Sequence, residues 1–227
     1  MSNTANTAVS AFSMGPDPLS LIALLSTLAM APFIAIMLSS FMKIVIVINL
    51  IRNALGVQQI PPNIAVNGLA IILTIYIMAP VMTDTYDIIK KQDYSNKTVG
   101  AFVENMKEAK GPLQGFLAKH SNDREKKFFI NTAKIMWAPE KAAALDKDNF
   151  MVLIPAFTVS ELTSAFQIGF LMYLPFIAID LVVSNILLAL GMMMVSPMTI
   201  SLPFKLLLFV LIEGWSRLVQ GLVLSYK

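Results

Sequence analysis

The sequence predicts an all-α membrane protein in which two apolar helical hairpin blocks flank a mainly helical polar domain. Three observations carry this reading. Residues 19–42 run for 24 positions without a charged side chain, long enough to span a hydrocarbon core of roughly 30 Å at about 1.5 Å per residue. Of the 31 Asp, Glu, Lys and Arg residues, 22 lie between residues 84 and 148, so the water-facing part of the chain is concentrated there. No hairpin turn is flanked by strongly alternating runs, and no internal repeat is evident.

The elements follow in order. A polar tail, 1–18, is rich in Ser, Asn, Thr and Ala and holds no Lys or Arg; without a positive n-region it does not read as a cleaved secretory signal. Residues 19–82 form the first apolar block. Its opening helix contains Pro32, and a second runs from about residue 64 to Ala79, before Pro80. Gly56 and the pair Pro61 and Pro62 supply the turn between them, one ending a helix and the others unable to extend it. Residues 83–150 are the polar domain, in which Asn122 and Glu125 stand at capping-box spacing. The helix they open is expected to present Phe129, Ala133, Met136 and Trp137 on one face and to stop at Pro139. Residues 151–227 are the second apolar block. Pro155, Pro175, Pro197 and Pro203 punctuate it into three long or kinked helices, centred on Ile168, Ile186 and Phe209. Lys43 and Arg52, with no acid nearby, put the first turn inside and hence the tail and the polar domain outside.

Composition narrows the function. The chain is 56% hydrophobic and 14% charged with a net charge of +3, and its mean hydropathy is +0.70. This surface must be buried in lipid or protein. The basic residues form no stripe with interleaved aromatics, so nucleic acid is rejected as a partner. With no Cys and a single His120, neither a thiolate site nor a pair of imidazoles for a metal is available. Neither a phosphate-binding Gly-rich loop nor a Gly-x-Ser-x-Gly elbow occurs, and the acid pairs Asp84 with Asp87 and Asp146 with Asp148 sit in the solvated segment. No enzyme and no cofactor are expected. Asn96-Lys97-Thr98 matches a glycosylation sequon, a pattern too short to carry weight.

Two features point to an assembly. Apolar character resumes after Lys43, so a helix continuous to Leu55 would be about 55 Å long and overshoot a bilayer. A helix apolar all round beyond the lipid needs other protein to cover it, which predicts an obligate oligomer. Glu161, Asp180, Lys205 and Glu213 stand among apolar neighbours, where an unpaired charge costs about 2.5 to 3.5 kcal/mol or more in lipid. Either they pair or line a water-filled path, or they are helix-end residues that reach the interface; for Glu213, beside Trp215, the second reading is preferred.

The segment 52–63, RNALGVQQIPPN, and the run 153–215, more than sixty residues from LIPAFTVSELTS to LLLFVLIEGW, resemble the SctR/FliP family of type III secretion export-apparatus proteins. The first segment and the Val-Ser-Pro after the methionines are similar to the injectisome branch. Residues 1–18 and most of 83–150 match no pattern of the family. The resemblance implies a core subunit of an export gate, a channel for unfolded proteins in the bacterial inner membrane, part of it on the periplasmic side. It also implies about five copies joined to SctS-like and SctT-like small membrane subunits in a helical ring, with energy supplied by other components.

Met192, Met193 and Met194 carry the sharpest expectation. Three consecutive side chains on a helix spread over about 200°, so they cannot share one face unless the helix breaks, as Gly191 and Pro197 invite. An unbranched thioether repacks at low cost, which suits a deformable seal. Composition alone favours core filler in a chain with 15 Met; the resemblance implies a methionine gasket around the pore. The competing function is a small-ion channel or proton-coupled transporter built on Glu161 and Asp180, for which ion flux through the lone chain, abolished by Asp180→Asn, is the discriminating observation.

Overall fold

The computed structural model describes residues 18–57, 60–91, 108–143 and 145–227, and every regular element among them is a helix. The chain divides into two compact units after Ile36. The first is represented by α1 (Pro18–Met37), which carries no charge and leaves Leu25, Leu28 and Phe33 exposed.

α1 does not continue to Leu55. Residues 38–40 break the helix before α2 (Phe41–Ala54) begins. At the break the Ser39 hydroxyl accepts a hydrogen bond from the Phe41 amide at 3.4 Å, taking a donor that a continuous helix would use for its own ladder.

The expected end of the next helix at Ala79 is also overturned. α3 (Asn63–Lys91) runs through Pro80 and past residue 82. A proline removes one backbone donor, and in an apolar helix the loss is tolerated when neighbouring groups stay satisfied.

In the polar segment, α4 (Gly111–His120), α5 (Asp123–Met136) and α6 (Pro139–Ala143) are short. The Asn122 side chain caps α5 by accepting from the Arg124 amide at 2.9 Å. Its own amide donates not to Glu125 but to Ser160 Oγ at 2.8 Å, so a contact to the second block replaces the capping box. The packed face of α5 is likewise shifted: Lys126 and Ala133 are buried while Met136 and Trp137 are exposed. Lys126 reaches the carbonyl of Ala118 at 2.7 Å, which lets a charged residue occupy the buried side. The sequon at Asn96 lies outside the described residues.

The largest departure is α7 (Phe150–Ala189), a single helix of 40 residues containing both Pro155 and Pro175. The stretches around Ile168 and Ile186 are therefore one element, about 60 Å long. The overlong helix exists, but in the second block. α8 (Pro197–Leu211) and α9 (Gly214–Leu224) follow, bent by 60° at residues 212–213.

α2 lies at the centre, packed against α3 and α7. Ile44, Val47, Ile48 and Ile51 are wholly buried. Gly169 of α7 touches α2 so closely that a Cβ would overlap Leu50. By length and apolarity α3 and α7 can each cross a membrane, and α8 with α9 qualifies as one bent span.

Candidate functional site: the α7–α8 hairpin and its supports

The turn between α2 and α3 depends on backbone geometry. Gly56 has φ +80°, and its amide bonds the carbonyl of Asn53 at 3.0 Å. Arg52 spans the reversal, donating from Nη1 to the Pro61 carbonyl at 3.3 Å and to Asn63 Oδ1 at 2.6 Å. Pro62 gives its carbonyl to the amides of Ala65 and Val66, opening α3. Gln58 and Gln59 lie outside the described residues.

Where α2 ends, the second block takes hold of it. Lys205 on α8 is 2% exposed, and its Nζ lies 2.6 Å from Asp180 Oδ2 on α7 and 3.1 Å from the Ala54 carbonyl. Ser201 donates to the other Asp180 oxygen at 2.6 Å. The ammonium thus neutralises a carboxylate and also occupies the negative end of the α2 dipole. Sequence reasoning anticipated partners for Asp180 and Lys205 but did not pair them with each other.

A second buried pair lies at the other end of α2, in its first turn. Lys43 Nζ and Glu161 Oε1 are 2.9 Å apart, with side chains 4% and 3% exposed. The Tyr226 hydroxyl donates to the remaining Glu161 oxygen, and Lys43 stands 3.9 Å above the Tyr226 ring centroid. Burial and the neighbouring Glu161 carboxylate push the Tyr226 phenol up, so it stays a donor. His120 packs edge-on against the same ring at 5.1 Å. Burial, then the charges of Lys43 and Lys119, lower its pKa to about 4. Neither Lys43 nor Tyr226 was singled out for this role, because nothing in their local sequence points across to Glu161.

The hairpin tip is built differently. α7 closes with Gly191 at φ +72°; the Met192 amide bonds the Leu187 carbonyl at 2.9 Å and the Gly191 amide that of Leu188 at 3.0 Å. This paired closure is the Schellman arrangement. α8 restarts with Pro197 in its first turn. Between them Met192, Met193 and Met194 leave the helix and are 43%, 81% and 100% exposed. Below the tip, α7 and α8 flank an apolar groove of about 510 Å³ lined by Ile179, Val183, Ile186 and Phe204, among others. Glu213 is exposed and takes a left-handed conformation at the α8–α9 bend. The hairpin therefore carries a soft apolar tip on two arms tied together by the Asp180–Lys205 clamp.

The FliP family pattern matches residues 24–222, which include the turn, the clamp and the methionine tip and also the whole of 83–150, most of which sequence reasoning left outside the family. The chain belongs to the FliP family. It is 55% identical over 211 residues to "Yop proteins translocation protein R" of Yersinia pestis, covering 93% of this chain and 97% of that protein. It is 49% identical to "Hypersensitivity response secretion protein HrcR" of Ralstonia nicotianae, over 92% of this chain and 97% of the relative. "Virulence protein YscR" of Salmonella typhimurium is 47% identical, over 95% and 100% of the two chains. These names match the injectisome branch of type III secretion, and the apolar helices make this FliP-family member a membrane protein.

Proposed function

We propose that the chain is a core subunit of a type III secretion export gate in the bacterial inner membrane, with part of the assembly on the periplasmic side. In this reading about five copies join SctS-like and SctT-like subunits to enclose a path for unfolded proteins. The observation that carries it is the near full-length identity to translocation and secretion proteins of several bacteria. The 40-residue α7 supports it: apolar side chains are exposed along it from Met151 through Phe166 and Leu181 to Leu188, over about 55 Å, more than one bilayer thickness covers.

Within that gate, Met192, Met193 and Met194 form the deformable seal. Met193 and Met194 are almost wholly uncovered by the described residues and Met192 about half so, and they sit on a hairpin whose arms are clamped, so several copies would bring soft thioethers to a common axis. The transporter reading loses its motive, since Glu161 and Asp180 are both engaged by lysines of the same chain.

Purification in mild detergent, alone and with SctS-like and SctT-like subunits, followed by native mass measurement, tests the assembly. A defined oligomer that takes up the small subunits is expected; a stable lone monomer overturns it. Replacing all three methionines with Ala should leave that oligomer intact and make the membrane leak small ions during secretion. A tight membrane with the triple variant assigns the methionines to packing instead.

A further inference from the structure

Tyr226, which follows α9, is tied to three elements at once. Its hydroxyl donates to Glu161 of α7, its ring lies under Lys43 of α2, and the same ring stacks on Phe116 of α4 with 6.1 Å between centroids and 13° between planes. Between these contacts and the rest of α9, attachment rests chiefly on Leu218 and Leu222, the buried leucines of the helix.

The other end of α9 is a bend with unusual backbone. Glu213 is the non-glycine with positive φ among the described residues, at 53°. A residue with a Cβ disfavours that conformation. Gly214, next to it, has no room for a Cβ because the Phe209 ring occupies the space. The bend is thus held by local packing and not by the preference of the residue that makes it.

A polar cavity of about 390 Å³ adjoins the Tyr226 contacts, lined by Lys43, Lys119, His120, Glu125, Glu161 and Ser225, among others. It gives the groups around the phenol alternative polar partners close by.

We propose that α9 is a strap, hinged at Glu213 and latched at Tyr226, and that opening the latch lets α9 lift from the core and away from α4, which stays packed on α3 and α7. The latch is the hydrogen bond from the Tyr226 hydroxyl to Glu161, with the ring stack as its seat. Opening exchanges that bond for contacts in the cavity and lets Glu213 leave the left-handed region.

The chain has no cysteine, so spin labels can be placed without background. Labels at Lys119→Cys and Gln220→Cys in the full chain, diluted with unlabelled copies, read the distance between α4 and α9 by pulsed EPR. Labels at Lys119→Cys and Lys134→Cys, both in the polar helices, serve as the control. One narrow distance is expected in the otherwise unchanged protein. Tyr226→Phe, which keeps the ring and removes the donor, should raise the lifted population about tenfold, the factor that loss of one hydrogen bond to a charged acceptor commands. Tyr226→Ala should raise it further, and both should leave the control distance unchanged. Adding Glu213→Gly to Tyr226→Phe should broaden the lifted population, because glycine frees the hinge. An unchanged narrow distance in Tyr226→Ala overturns the strap. A change in Tyr226→Ala but none in Tyr226→Phe overturns the hydroxyl as the latch. Broadening of the control pair in Tyr226→Phe also overturns it, since the contact would then be part of the fold itself. The measurement does not depend on export, so its outcome is separate from that of the gate assignment.

Discussion

The two ends of the α7–α8 hairpin obey opposite rules. At its base, Asp180, Ser201 and Lys205 satisfy one another and the end of α2. At its tip, Met192, Met193 and Met194 touch little and face outward. The same contrast holds more widely: buried Lys43, Lys126, Glu161 and Lys205 all have polar partners inside the chain, while large apolar side chains on α1, α7 and α8 lie exposed. A charge left without a partner in an apolar setting costs several kcal/mol, whereas an exposed leucine or methionine costs little until it is covered. Among the described residues these buried charges are neutralised within the chain, with Ser40 Oγ and Arg52 Nε the buried polar side-chain atoms left without a hydrogen bond, while much apolar surface stays uncovered.

The most severe way to break this contrast is to strand a charge at the base. Asp180→Leu leaves Lys205 buried and uncompensated, with an expected loss of about 3 kcal/mol, the lower end for broken buried pairs because Asp180 remains partly exposed. The yield of assembled complex and the thermal midpoint in detergent should both fall. Adding Lys205→Met should recover most of the loss, and no recovery would mean that the pair does more than neutralise.

Gly56→Val ranks next. Nothing lies within 4 Å of a Cβ added there, so the penalty comes from φ +80° alone, about 1 to 3 kcal/mol for a β-branched residue. Assembly should fall, and Gly56→Asn should be milder because asparagine tolerates that region. Equal effects of Val and Asn would shift the cause away from the backbone.

A smaller effect is set by pH. His120 has a folded pKa of about 4 against 6.5 when unfolded. Between these values the unfolded chain binds the proton first, so stability is full above about pH 6.5, declines as pH falls toward 4, and levels off below. His120→Phe keeps the ring contacts with Phe116 and Tyr226 and should flatten this slope in thermal unfolding at successive pH values. The methionine triple variant completes the order. Exposed as they are, its side chains should change the stability of the chain by no more than about 0.5 kcal/mol, while the barrier to ions is lost.

Local chemistry was readable from the sequence. Gly56 with Pro61 and Pro62 as a turn, Asn122 as a cap, and an irregular segment after Gly191 all depend on φ, missing donors or side-chain oxygens within a few residues. The errors arose where distant groups decide. Pro80, Pro155 and Pro175 look like helix ends in isolation, but the helices continue through them in an apolar setting. Ser39 and Ser40 look harmless inside an apolar run, yet the helix breaks there. The pairing of Lys43 with Glu161 and Tyr226 joins residues more than sixty positions apart, a separation that no periodicity encodes.

The length of α7 has a mechanical consequence. Glu161 and Gly191 are joined by one unbroken helix, about 45 Å from the Tyr226 contacts to the methionine tip. α2 packs along this helix from the Lys43–Glu161 pair to the Leu50–Gly169 contact, and Lys205 ties it to Asp180 farther on. Held at these points, α7 turns only together with α2 and α8, and a tilt of about 10° about the Glu161 end would carry the tip through about 8 Å. In the proposed gate, the width of an opening bordered by the three methionines would follow such a tilt.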